Sequence, residues 1–183
     1  SENNADSVNN HIQEYSYDKA WVTGDIYGWY TAQYQMSFGC SHTNEIIQAF
    51  VEDNDAQIDF TQYKRVVVIP AGCGGYAEGN AGPQLIETND GPFYFSWLKL
   101  PEWAVTGETI TTHEFGHSIG LTFHASSLDC EISVIGGDCD INTNGNLYDI
   151  MSTGSGDGHF NAVYKDFLGW FDCRFAFVEM AWL

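Results

Sequence analysis

A single domain of mixed α/β or α+β class is what the sequence predicts, and three observations carry that expectation. The 183 residues are 44% hydrophobic and 15% aromatic, enough to bury one core and short for two independent ones. Stretches with strand character and stretches with helical spacing both occur along the chain, which excludes an all-α or all-β architecture. The residues able to do chemistry crowd toward the middle, with three of the six histidines between positions 113 and 124.

Each element follows from a local pattern. Ser1–Asn10 is polar and expected to be loosely held at its start. Ala20–Tyr34 is aromatic and β-branched with turn glycines, which predicts strand and hairpin. In Thr43–Glu52, Ile46, Ile47, Phe50 and Val51 share one helical face, and Asn44 or Thr43 can cap the helix. Lys64–Ile69 is a β-branched run expected as a buried central strand, opening into the glycine-rich Ala71–Gly82 loop. Phe93–Leu100 alternates bulky with smaller or polar residues, a strand expected at a sheet edge. Thr109–Ile119 follows as a helix stopped by Gly120. Ser126–Tyr148, rich in Asp, Asn and Gly, reads as loop, Phe160–Leu168 as a second helix, and Phe175–Trp182 as a final strand.

Charge narrows the classes of function. Six Lys and Arg stand against 25 Asp and Glu, a net charge of −19. Only 17% of residues are charged, so the acidity comes from missing bases rather than from an acidic tail. Such a field repels phosphate backbones and anionic lipid, which argues against nucleic-acid and membrane partners. No stretch approaches the roughly 18–20 apolar residues of a membrane span. Five cysteines without a CxxC pair do not support a zinc ribbon. Two disulfides and one leftover thiol are expected instead, hence an oxidising compartment and secretion. Cys130–Cys139 closes a short loop and is the first expected bridge, with Cys40–Cys73 the second. Reduced, buried cysteines are the alternative.

The segment HEFGHSIGLTFHA carries the chemistry. His113 and His117 are four apart, so on a helix both imidazoles project from one face. That spacing lets both ligate one Zn²⁺ at about 2.0–2.1 Å, with Glu114 beside the first ligand as general base. Gly120 turns the chain back so that a later residue can complete the set. In the HExxHxxGxxH pattern the third ligand falls at Phe123, which cannot bind metal, and His124 follows it directly. His124 is the expected third ligand, with Asp129 and Glu131 in reserve. Three protein ligands leave a zinc open for water, the arrangement of a catalytic site.

These residues resemble the active-site helix and turn of the metzincin metalloproteases. Tyr148-Asp149-Ile150-Met151-Ser152 resembles their Met-turn, and Gly158–Phe171 resembles the stretch that follows it in gametolysin-like metzincins. Thr61–Gly75 is similar to that family's central strand and cysteine-containing loop. The chain departs from the family in the extra residue before His124 and in a long acidic insertion before the Met-turn. The resemblance implies a mostly parallel twisted sheet, an active-site helix, a Met-turn and a C-terminal helix. It implies an upper subdomain to about residue 120 and a lower one from about 121 to 183. It also implies a secreted zinc endopeptidase acting on extracellular proteins, such as matrix or cell-wall glycoproteins, bound as an extended peptide along Phe93–Leu100. Many metzincins place a tyrosine two residues after the methionine; here Thr153 stands there, leaving Tyr148 or His159 to assist as transition-state stabiliser. Both also have plain structural readings, Tyr148 as a packed turn residue and His159 as a helix cap.

Two rival readings remain open at this level: a gluzincin-type peptidase with Glu131 as third ligand, and a catalytically inactive metal-binding or adhesive module. A second metal is also suggested. From Asp140 the chain reads D-x-N-x-N-G, the opening of an EF-hand calcium loop, with Asp138, Asp140, Asn142, Asn144 and Asp149 as oxygen donors. The alternative is an Asn/Asp/Gly turn held by Cys130–Cys139.

Overall fold

Where the sequence reads Ser-Val-Asn-Asn-His-Ile, a helix begins. The computed structural model describes residues 7–31, 40–130, 139–152 and 158–171. Helix α1, Val8–Tyr15, starts at Ser7, whose side chain accepts from the Asn10 amide, and buries Ile12 and Tyr15. The start of Ser1–Asn10, expected to be loosely held, lies outside the described residues up to position 6. Residues 20–31 carry no regular structure, against the expected hairpin. Ile26 is fully exposed and Trp29 is 80% exposed. Aromatic content makes a strand only where a partner strand and a buried face exist, and here neither is present among the described residues.

The chain divides into two compact units, Thr23–His124 and the pair Ser1–Val22 with Ala125–Leu183. In Thr23–His124, helix α2 spans Thr43–Asn54 and buries Ile46, Ile47 and Val51. His42 takes the N-cap position without a side-chain cap bond, and the Thr43 hydroxyl is engaged instead by Glu78 and Lys99. Strands β1 (Arg65–Val68), β2 (Glu78–Gly79), β3 (Gln84–Thr88) and β4 (Gly91–Lys99) form one mixed sheet. β4 pairs in parallel with β1 and antiparallel with β2 and β3. Three expectations are corrected here. β4 lies inside the sheet, and β1 pairs only with β4 among the described residues. The sheet is mixed, with one parallel and two antiparallel pairings, rather than mostly parallel. Alternation decided which face β4 buries, but its neighbours come from distant sequence.

One face of β4 carries Phe93, Phe95 and Trp97, which pack with Ile47, Val51, Ile58, Phe60 and Val66 into the core. Phe93 and Phe95 stack with ring centroids 4.4 Å apart. Burying such side chains stabilises by about 1.5–3 kcal/mol each, so this layer anchors the sheet. A 3₁₀ turn at Glu102–Ala104 leads into helix α3, Glu108–Ser118.

In the other unit, β5 (Ser127–Cys130) and β6 (Cys139–Asn142) form an antiparallel hairpin where loop was expected. Cys130 and Cys139 face each other in its register and are bridged, and Cys40 is bridged to Cys73. Helix α4, Ala162–Phe167, is capped by Asn161, whose side chain accepts from the Tyr164 amide. Cys173 and the expected strand Phe175–Trp182 lie outside the described residues, as do Glu131, Asp138 and Thr153.

Candidate metal centre

Helix α3 sets the first two histidines one turn apart. It ends as a Schellman motif: Gly120 at φ 112° donates to the His117 carbonyl at 2.9 Å, and Leu121 donates to the Gly116 carbonyl at 3.1 Å. A left-handed turn of this kind is open to glycine and strained for other residues. The reversal brings His124 to the histidines of the helix. Ring centroids lie 4.9 Å apart for His113–His117 and 5.2 Å for each of His113–His124 and His117–His124. A nitrogen from each ring lies within 4.8 Å of the others, so the three can hold a metal ion together. Phe123, at the position the HExxHxxGxxH pattern assigns to a ligand, is 77% exposed. The extra residue is absorbed by the turn.

His117 is oriented by its second nitrogen. Its Nδ1 lies 2.6 Å from the Leu121 carbonyl, which fixes Nδ1 as the protonated nitrogen and frees Nε2 for a ligand. Burial pulls the His117 pKa below the ordinary histidine value, with the Leu121 carbonyl opposing. A neutral ring is what a metal requires. Three imidazoles suit a transition ion such as zinc, copper, nickel or iron and not a hard oxygen-seeking one.

Glu114 is buried. Burial pushes its carboxyl up to about 7, the nearby Glu78 charge adds to the rise, and the Gly79 amide and Lys99 oppose it. Sequence reasoning missed these neighbours. β2 runs so close to α3 that a Cβ at Gly79 would collide with the Glu114 carbonyl. Lys99 is buried and its ammonium donates to Glu78 at 2.9 Å, to the Thr43 hydroxyl at 3.0 Å and to the Cys40 carbonyl at 3.0 Å. The signal for Lys99 was present in period two, since it continues the inward series of Phe93, Phe95 and Trp97.

The remaining candidates fall in the other unit. Met151 is fully buried in a tight turn held by Asp149, whose carboxylate accepts from the Met151 amide at 2.7 Å and the Asn161 amide at 2.9 Å. Burial raises the Asp149 pKa and these amides lower it. Each Asp149 oxygen thus accepts from one backbone amide. Asp140 and Asn142 lie on strand β6, and the Asn142 side chain accepts from the Asn144 amide at 3.3 Å. A strand followed by an Asx turn thus occupies the stretch whose sequence resembles the opening of an EF-hand loop, paired with β5 and tied by Cys130–Cys139. Asp129 sits on β5 directly opposite Asp140. Tyr148 is 87% exposed. His159 does not cap α4; its Nε2 lies 3.2 Å from Glu14, and its ring centroid lies 4.4 Å from that of Tyr15. No protein-family model, curated protein or solved structure matches the chain.

Proposed function

We propose that this protein is a secreted zinc-dependent endopeptidase of metzincin type, acting on peptide bonds of extracellular proteins. The observation that carries the proposal is the near-equilateral set of His113, His117 and His124, with Glu114 next to the first of them on the same helix. Secretion is supported by two disulfides and by the absence, among the described residues, of any helix long and apolar enough to cross a membrane.

A zinc ion held by three imidazoles supplies a Lewis acid for the scissile carbonyl and makes a water acidic near neutral pH. The chain's own groups do the rest. The Leu121 carbonyl keeps His117 in the ligating tautomer. Glu114 accepts the proton of the attacking water and delivers it to the leaving amine. The Gly79 amide and the Lys99–Glu78 pair hold the carboxylate side of Glu114 in a defined electrostatic setting. Because β4 is interior, an extended substrate would add instead along the outer side of β2, the strand that abuts α3 at Gly79.

Hydrolysis of casein or gelatin tests the proposal. Activity should vanish with 1,10-phenanthroline and return on adding zinc. Hydrolysis that survives the chelator, or a zinc-loaded protein with no hydrolysis of any protein substrate, overturns it.

A further inference from the structure

Within Thr23–His124, Lys64 and Arg65 line a pocket of about 270 Å³, walled by Pro83, Tyr94, Ser96 and Ser118. They are two of only six Lys and Arg in the chain. The Arg65 guanidinium lies over the Phe115 ring, 5.2 Å from its centroid, and its Nε donates to the Ser118 hydroxyl at 3.2 Å. That hydroxyl in turn donates to the Phe115 carbonyl at 2.8 Å. Ring and hydroxyl together fix the plane of the guanidinium while using one of its five donors. The Nη groups donate to no described residue. Ser96 faces Arg65 in the β1–β4 register, is 6% exposed, and its hydroxyl has no partner among the described residues.

The missing counter-charge is the informative part. The chain carries 25 Asp and Glu, yet burial alone governs the Arg65 pKa and no carboxylate opposes it. Leaving a partly desolvated cation unpaired is costly, and a ligand in the pocket that Arg65 lines would remove that cost. We propose that this pocket binds a carboxylate-bearing ligand, with the Arg65 Nη fork taking both carboxylate oxygens and the Ser96 hydroxyl and Lys64 ammonium completing the grip. A planar two-oxygen anion matches the guanidinium fork. Phosphate brings more negative charge into a molecule already at −19. The volume suits a group of amino-acid size, and Tyr94 and Pro83 offer it an apolar wall. Arg65 also faces the C-terminal end of α3, whose dipole favours a cation; if that were its whole role, no ligand would bind.

The site depends neither on a metal nor on peptidase activity. Its test is an NMR titration of the full zinc-loaded chain with N-acetylglutamate, with N-acetylglutaminamide, in which both carboxylates are carboxamides, as neutral isostere and inorganic phosphate as second anion. The Arg65 Nε–H signal and the Ser96 and Ser118 amides should shift saturably with the carboxylate and not with the amide. Arg65→Gln and Arg65→Lys should each weaken binding about tenfold or more, since a bidentate charge-assisted contact is lost. Lys64→Gln should weaken it by roughly two- to fivefold, as expected of an exposed charge. Because the amide control needs no variant, a misfolded Arg65 substitution leaves the test intact. An acetylated Ala-Glu-Ala amide that binds tighter than N-acetylglutamate identifies a protein side chain as the source of the carboxylate; the reverse order identifies a free organic acid. Equal response to acid and amide, tighter binding of phosphate, or no saturable shift at all overturns the proposal.

Discussion

His117 commits both nitrogens of one ring, Nδ1 to the Leu121 carbonyl and Nε2 to the metal-capable triad. The commitment depends on the turn at Gly120, which supplies that carbonyl and returns His124 within the same few residues. His124→Ala should therefore lower bound zinc sharply, whereas Phe123→Ala should leave it unchanged although the motif spacing points to residue 123. Metal content of the purified variants, read by atomic emission, separates the two; loss of zinc in the Phe123 variant would reverse the assignment. Glu114 lies next to His113 on the same helix and is not one of the three metal-capable residues. Glu114→Gln keeps the volume and removes the proton acceptor, so hydrolysis should fall about 10²–10⁴-fold with zinc content intact. Near-normal hydrolysis by that variant would remove Glu114 from the reaction.

At the scale of elements, the close approach of β2 to α3 is a backbone contact that side chains cannot relieve. Gly79→Ala drives a Cβ against the Glu114 carbonyl and should cost about 1–3 kcal/mol, the usual range for overpacking. Gly74→Ala, with open space around it, should be close to neutral; matching urea midpoints for the two variants would contradict the contact. The two disulfides offer a second comparison. Cys40–Cys73 spans 33 residues and Cys130–Cys139 spans 9. On loop-closure entropy the longer should contribute about 4 kcal/mol and the shorter about 2–3 kcal/mol. Paired Cys→Ser variants compared by urea denaturation should lose stability in that order. These elements also mark how far the sequence could be read. Helical spacing located α2, the stop at Gly120 bounded α3, and alternation marked Phe93–Leu100 as a strand. Over residues 20–31 the expected hairpin does not form, because strand propensity says nothing about whether a partner strand exists. Whether β4 is an edge or an interior strand depends on pairings with β1, β2 and β3, which no local pattern encodes. His113 and His117 were legible at fixed helical spacing, and His124 only as a neighbour of the expected position. Arg65 meets Ser118 across 53 residues, a contact no spacing rule anticipates.

For the whole molecule the dominant fact is a charge of −19 with few cations left to offset it. Lys99 and Lys165 are buried at 5% exposure each, one on Glu78 and the other over the Tyr17 ring at 4.6 Å. Their charges serve the interior more than the surface. Repulsion among exposed carboxylates therefore opposes the compact state, and salt screens it, because the Debye length falls from about 30 Å at 0.01 M to about 3 Å at 1 M. Raising sodium chloride from 10 mM to 500 mM should raise Tm by several degrees. Sucrose serves as a control that strengthens burial without screening charge. Asp129 and Asp140 concentrate the effect, since they stand directly opposite on β5 and β6, where like charges are destabilising. Asp140→Asn should stabilise the protein by about 0.2–1 kcal/mol at low salt, and the gain should shrink as salt rises. A Tm that ignores sodium chloride, or an Asp140→Asn gain that persists undiminished at high salt, would mean that this surface is not governed by charge repulsion.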